Sequence, residues 1–335
     1  MLRSAGSDGA PGHRGRAGRR ECPPSVMFVA HGTIEHWTVR SLRAPNTPSD
    51  PWSSTQIDRS GLARCFGERA HVDLLAGRYG LALDGFRLAI EADPHSPSPR
   101  AGEGLALDAL GRHDEAQAVF DHERLVDVTD FTAMPGWPSV RVFNEALARH
   151  ILARADLRSD RPRVATEGGW QTSDLLPSAN EGIRTLAGAV AGAFARYLSG
   201  AAGDARSSYF RMPPPPVLRR ADAVVLAAGG RQREHIHDFG YCSAVYYVRV
   251  PARRPGPGRA GCLWFGKREG PTQTSVHACV HPEEGRLVVF PSYLFHSTVP
   301  FAGPGLRLSV AFDLTPAPDT RPLVWADGRA AGGVG

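Results

Sequence analysis

REHIHDFGYCSAVYYVRVP at residues 233–251 and GRLVVFPSYLFHSTVPFAGPGLRLSVAFDL at residues 285–314 decide the fold. Each contains short runs rich in β-branched and aromatic residues, bounded by Gly and Pro, which is how strands and their turns are written in sequence. Working outward, AVVLAA at 223–228 and GCLWFG at 261–266 add runs of the same kind, and RRPGPGRAG at 253–261 is a turn-rich separator. Short strands at this spacing predict a sandwich or barrel, and a jelly roll of about eight strands fits the length.

Upstream the texture is helical. Gly77, Ala82 and Phe86 recur as Gly111, Ala116 and Phe120, each displaced by 34 residues, within GRYGLALDGFRLAIEADP and GRHDEAQAVFDHERL. Gly suits a tight interhelical turn, Ala lets helices approach, and Phe fills the groove between them. This period resembles the tetratricopeptide repeat. Pro94 ends the first unit and Pro97 and Pro99 open the next. Two units form a short stack that leans on the neighbouring domain, and a packing role is favoured over a peptide-binding groove. Val142, Phe143, Ala146, Leu147, Ile151 and Leu152 mark one face of a helix over 140–155. A second helix is expected over 178–199, with GGWQTSDLL at 168–176 as a polar loop between them.

The predicted class is therefore α+β: a jelly-roll domain preceded by a short helical repeat module. The expected boundaries are a tail over 1–26, a linker over 27–62, repeats over 63–128, and a main domain over 129–316. Within that domain, 139–200 is the helical part and 211–316 the jelly roll, and 317–335 is a second tail. Gly 37 and Pro 28 among 335 residues agree with plentiful loops.

Composition excludes several classes. The longest nearly apolar stretch, 186–195, lies between Arg184 and Arg196, far short of the roughly 20 residues a membrane span needs. The formal charge is +5, but residues 1–20 hold five arginines against one aspartate, so the remainder is nearly neutral. Lys267 is the single lysine, a bias that does not read as phosphate recognition. Nucleic acid is not an expected partner. The first 25 residues lack the apolar segment of a secretory signal and read as a tail, or as sequence upstream of a start at Met27. Cys22, Cys65, Cys242, Cys262 and Cys279 are odd in number without a CxxC pair. They fit a reducing cytoplasm better than a disulfide framework, with Cys242, Cys262 and Cys279 acting as small hydrophobes in strands. The run 213–216 reads as a stiff connector.

The β region also carries the chemistry. His235 and His237 are two residues apart, so on an extended chain they share a face. His296 follows the apolar run FPSYLF and can close a facial triangle with them. Neutral imidazoles suit a first-row metal such as iron, and three ligands on one face leave positions open for cosubstrate and oxygen. Asp238 is the alternative carboxylate ligand, but beside His237 it points to the opposite face of a regular strand. Arg307 and Ser309 share a strand face, where guanidinium and hydroxyl can take a carboxylate together, which implies a dicarboxylate cosubstrate. Ser243 and Tyr247 share a face of the strand after HIH and are candidates for lining the cosubstrate pocket, with Tyr246 facing away. His277 and His281 flank a strand and a Pro-Glu-Glu turn, and a surface role is expected.

The two opening stretches resemble the iron- and 2-oxoglutarate-dependent oxygenases, in particular the branch that often carries tetratricopeptide repeats. GWQTSDLL and PSVRVFNEAL are similar to that branch's N-terminal elements, so the resemblance spans about 135–314. It implies a double-stranded β-helix (jelly-roll) fold, with Fe(II) held by His235, His237 and His296 and 2-oxoglutarate anchored by Arg307 and Ser309. The superfamily usually has His-x-Asp or His-x-Glu at the first motif, and HIH places His237 at the carboxylate position, a departure that many members of this branch share. The implied reaction hydroxylates a C–H bond of an unnamed substrate and releases succinate and carbon dioxide. Two other readings compete: a binding protein without turnover that recruits a protein partner through its repeats, and a three-histidine metal dioxygenase that does not use 2-oxoglutarate.

Overall fold

Glycines at the turns and on one packing face shape the helical part of the chain. In the computed structural model the described residues are 26–28, 39–41, 59–159, 164–201, 208–210, 216–252 and 258–316. All of the expected tail over 1–26 except Val26, most of the linker over 27–62, the run 213–215 and the tail over 317–335 lie outside them. The chain divides into a first unit, residues 1–58, and a second, from Arg59 onward. In the first, β1 (Val26–Phe28) pairs antiparallel with β2 (Val39–Ser41).

The second unit begins with α1 (Arg59–Leu75), α2 (Tyr79–Ala92), α3 (Pro97–Ala109) and α4 (His113–Val119). Gly77 at φ 73° and Gly111 at φ 75° make the equivalent turns, a conformation that favours glycine. Ala82 and Ala116 are fully buried, and Phe86 and Phe120 are almost so. The rings lie over Gly102 and Gly104 of α3, where an added Cβ would overlap Phe86 and Phe120 respectively. The 34-residue period thus corresponds to two like helix pairs.

Next come α5 (His122–Leu125), β3 (Asp127–Asp130) and α6 (Val140–Leu152), whose first turn is capped by Ser139 Oγ accepting from Val142 N at 3.2 Å. After β4 (Arg158–Ser159) and β5 (Thr166–Gln171), α7 runs over Glu181–Ala201. The sequence places its start at 178. Asn180 Oδ1 accepts from Ile183 N at 3.2 Å, so the cap sits later. The segment 168–171, expected as loop, is instead part of β5. It pairs with β6 on one side and β4 on the other, with Trp170 exposed and Gln171 buried, and Gly169 lets it approach the Val225 carbonyl where a Cβ would clash.

The remaining strands are β6 (Pro216–Gln232), β7 (Cys242–Arg249), β8 (Leu263–Phe265), β9 (Ala278–Val280), β10 (Arg286–Pro291), β11 (His296–Thr298) and β12 (Arg307–Pro316). One antiparallel sheet has the order β3-β10-β7-β12-β6-β5-β4, and a second has β11-β8-β9. Residue 235 bridges residue 296, so its segment flanks β11 in the smaller sheet. From β6 onward the chain alternates between the sheets: large, small at 235, large at β7, small at β8 and β9, large, small, large.

Strand periodicity divides β12 in two. Leu308, Val310, Phe312 and Leu314 are buried in one core with Phe143, Leu147 and Ile151 of α6 and Leu186, Val190 and Phe194 of α7. Arg307, Ser309, Ala311 and Asp313 take the other face, toward the space between the sheets. Cys262 and Cys279, expected as separate small hydrophobes, are joined as a disulfide. The β8–β9 register, with Leu263 opposite Val280, brings their Cα atoms to 5.9 Å, a span that a disulfide bridges. A register set by pairing 17 residues apart has no signature in the spacing of the cysteines themselves.

Candidate metal centre and carboxylate pocket

His235 and His296 are brought together by backbone pairing. His235 N donates to His296 O at 3.1 Å and His296 N donates to His235 O at 3.0 Å, so the residues are directly opposite and their side chains share a face. His237 lies two residues further on, held by its own N–H donating to Ser292 O at 3.0 Å. The three rings form a triangle with centroid separations of 4.3, 5.0 and 5.1 Å.

In each ring Nδ1 faces an acceptor: Arg233 O at 2.7 Å for His235, Asp313 Oδ1 at 2.5 Å for His237 and Leu294 O at 2.9 Å for His296. A carbonyl or carboxylate oxygen only accepts, so Nδ1 carries the proton and Nε2 keeps its lone pair. The Nε2 atoms of His235 and His237 are 3.2 Å apart, and the ligand atoms of all three residues lie within 4.8 Å of one another. Lone pairs crowded this closely are a donor set for a cation. The set fits a divalent first-row metal on one face, with the opposite face open.

Electrostatics favour the neutral imidazole at His235 and His296. Burial, then the charge of His237, holds the His235 imidazole down at about 4, and burial with the charges of His235 and His237 holds His296 well below its ordinary value. Burial also works to lower His237, but Asp313 outweighs it and raises that imidazole. Asp313 is lowered, because His237 and the hydrogen bond from Ser243 overcome the effect of burial.

β12 links this centre to a second feature. On its inner face Arg307 pairs with Leu226, Ser309 with Val224 and Ala311 with Asp222 of β6, while on the other side Ser309 pairs with Tyr247 and Asp313 with Ser243 of β7. Arg307 is only 2% exposed. Nη1 donates to Thr298 Oγ1 and Nη2 to the Tyr247 hydroxyl, both at 3.2 Å, and the guanidinium lies 5.0 Å from the Tyr247 ring centroid. Its buried Nε has no partner, and no carboxylate among the described residues pairs with it. A buried guanidinium with only neutral partners costs several kcal/mol unless an anion is supplied. The cavity beside it, lined by His235, His237, His296, Arg307 and Ser309, opens that place to a ligand. The residues present therefore fit both a metal and a cosubstrate carboxylate.

Of the residues singled out in the sequence, His235, His237, His296, Arg307, Ser309 and Tyr247 are brought to this one interior. Ser243 is placed at its metal end, donating to Asp313 Oδ1 at 2.9 Å and lying 3.1 Å from His237 Nδ1, away from Arg307. Asp238 is exposed and accepts from Ser98 Oγ at 2.8 Å, directed to α3 rather than to the histidines. Tyr246 faces away and donates to Asn144 Oδ1 at 2.8 Å. His277 is exposed, 5.3 Å from the Trp264 ring, while His281 is half-buried beside Cys262. Sequence reasoning missed Asp313 and Thr298. Each had a signal: Asp313 is six residues beyond Arg307 on one strand face, and Thr298 is two beyond His296.

Residues 221–313 match the model of the family described as "Putative 2OG-Fe(II) oxygenase". The match begins in β6 and ends at Asp313, so it holds every residue of the centre and the pocket. It supports an oxygenase that uses Fe(II) and 2-oxoglutarate. No curated protein is similar enough in sequence to count as a relative. Among solved structures, the chain is similar to a prolyl-4-hydroxylase from Pseudomonas putida, with 19% identity over 60% of this chain and 98% of that one and a TM-score of 0.40. It is also similar to the non-heme alpha ketoglutarate dependent epimerase SnoN from nogalamycin biosynthesis (16%, 68% and 96%, 0.41). A third is HygX from Streptomyces hygroscopicus, with nickel, 2-oxoglutarate and hygromycin B bound (16%, 64% and 94%, 0.37).

Proposed function

We propose that this protein is an iron(II)- and 2-oxoglutarate-dependent dioxygenase that hydroxylates a C–H bond of its substrate. The observation that carries the reading is the pairing of three convergent Nε2 lone pairs with a buried guanidinium that has no counterion among the described residues, both on inner strand faces. His235, His237 and His296 would hold the metal, and Arg307 with Ser309 would take the distal carboxylate of 2-oxoglutarate. The alternation of strands between two sheets supports a double-stranded β-helix, and the two like helix pairs support a tetratricopeptide-type module.

When bound, Fe(II) and 2-oxoglutarate supply the oxidation, in which dioxygen converts the cosubstrate to succinate and carbon dioxide and delivers one oxygen atom to the substrate. The chain's residues position that chemistry. Asp313 holds the His237 ring and its Nδ1 proton, and Ser243 holds Asp313. Thr298 and Tyr247 orient the guanidinium. Gln171, Arg219, Arg220 and Phe239 line a cavity that reaches His235 and His237, and Phe239 is 88% exposed at its edge. That cavity is the proposed approach for the primary substrate. A second cavity runs from His235 and Ile236 to Glu68, His71 and Leu105, which gives the helical module a share in what reaches the metal.

The test is anaerobic titration of metal-free protein with Fe(II), then 2-oxoglutarate, followed by visible absorption. A charge-transfer band that decays on admitting oxygen, with succinate formed, supports the proposal. Iron binding without a band points to a three-histidine enzyme that does not use 2-oxoglutarate. No iron binding overturns the catalytic reading in favour of a binding protein.

A further inference from the structure

Away from the centre, a second cluster lies on one face of the β8–β9 pair. The register places residue 262 opposite residue 281, and residue 279 is two before 281 on the same strand, so Cys262, Cys279 and His281 share that face. Their ligand atoms lie within 4.8 Å of one another, with Cys262 Sγ 3.3 Å from His281 Nδ1. Cys262 is fully buried, whereas Cys279 and His281 are half-buried. The residue bearing one sulfur is thus partly open to solvent, the other is shielded, and a base is beside the shielded one.

We propose that Cys262, Cys279 and His281 form a reversible thiol–disulfide site whose oxidant is a small-molecule disulfide of the glutathione class. The Cys279 thiolate attacks one sulfur of the oxidant, forming a mixed disulfide and releasing one thiolate. Cys262 gives its proton to His281 Nδ1 and attacks the Cys279 sulfur, closing the protein disulfide and releasing the second thiolate. Two protein thiols are oxidised and one external disulfide is reduced to two thiols, so atoms and electrons balance.

The site adjoins the cosubstrate pocket. Val299 N donates to Cys262 O and Gly261 N to Val299 O, both at 3.0 Å. The next residue, Leu263, lines the cavity and pairs with Thr298, which accepts from Arg307. β9 is the outer strand of its sheet, so the disulfide fastens that edge to the strand bearing Leu263. The consequence for 2-oxoglutarate rests on the function proposed above, and the thiol chemistry does not.

The experiment equilibrates the full chain in glutathione buffers of graded redox poise, quenches with an alkylating agent and measures peptide masses. Cys262 and Cys279 are expected to lose their two hydrogens together at one midpoint while the fully buried Cys242 stays a thiol. Cys262→Ser should trap glutathione on Cys279, Cys279→Ser should trap none, and His281→Gln should slow closure at least about tenfold with the same end point. Two alkylatable thiols at every poise overturn the proposal. So does a bond that opens only when the protein unfolds, or an equivalent of zinc that copurifies and keeps both thiols from oxidant. Where the site cycles, 2-oxoglutarate affinity should differ roughly 2- to 30-fold between the two states. Equal affinities overturn the coupling, and no 2-oxoglutarate binding in either state overturns the oxygenase reading while leaving the thiol site standing.

Discussion

At the scale of single residues, the two ends of β12 make separable demands. In the proposed site Asp313 would act on the metal only through His237, which makes it a positioning residue. Asp313→Asn keeps an acceptor for Nδ1–H but removes the charge. Metal affinity should fall about 10- to 100-fold, read by titration with Co(II) as a spectroscopic stand-in for iron, with little change in thermal midpoint. Unchanged affinity would remove Asp313 from that role. Arg307 makes the opposite demand, because among the described residues its buried charge has no counterion. Arg307→Met should weaken 2-oxoglutarate binding at least about 30-fold and leave metal binding in place, and by denaturant unfolding the ligand-free variant should be as stable as the parent or more so. A clear loss of stability would mean that Thr298 and Tyr247 already satisfy the guanidinium. The sequence showed this site in part. Residues two apart, such as His235 and His237 or Arg307 and Ser309, are legible because strand periodicity forces a shared face. Asp313 was within reach of the same rule applied three times over.

At the scale of elements, glycine separates packing from propensity. Gly102 and Gly188 both lie within helices, yet an added Cβ at 102 would overlap the Phe86 ring, whereas at 188 it meets nothing within 4 Å. Gly102→Ala should destabilise by about 1–3 kcal/mol through overpacking, and Gly188→Ala should stabilise by up to about 1 kcal/mol through helix propensity. Denaturant midpoints at constant m-value would check both, and equal shifts of one sign would refute the packing argument. The repeat spacing of Gly77, Ala82 and Phe86 was legible because turn, close approach and groove each need one residue type. The acceptors of the Phe rings on α3 were not, since glycine in a helix reads as a breaker until its neighbour is known. β5 was hidden for a related reason: Thr166–Gln171 carries two glycines among polar residues and reads as loop, and only its pairing with β6 and β4 makes it a strand.

For the whole molecule, the helices and the barrel meet through contacts between residues far apart in sequence. Asp108 accepts from Ser275 N at 2.8 Å and Ser275 Oγ at 2.6 Å, and the Tyr293 hydroxyl donates to Val119 O at 3.1 Å. No local pattern announces such pairs, so this junction was not legible in the sequence. It also holds a titratable group. His122 of α5 is 5% exposed, its ring centroid is 5.7 Å from that of Phe265 in β8, and its Nδ1 has no partner among the described residues. Burial, reinforced by the charge of His277, lowers its imidazole from 6.5 to about 4. Between those values the unfolded chain binds the proton and the folded chain does not. Stability is therefore complete above pH 6.5 and declines as pH falls toward 4. At pH 4.5 the loss assigned to His122 is about 2–3 kcal/mol. Urea unfolding of parent and His122→Phe at pH 7.5 and pH 4.5 measures it. The variant should lose that much less stability than the parent on acidification, because His235 and the other titrating groups are common to both. If the two lose the same amount, His122 is already solvated in the native protein, and the junction between helices and barrel opens without unfolding.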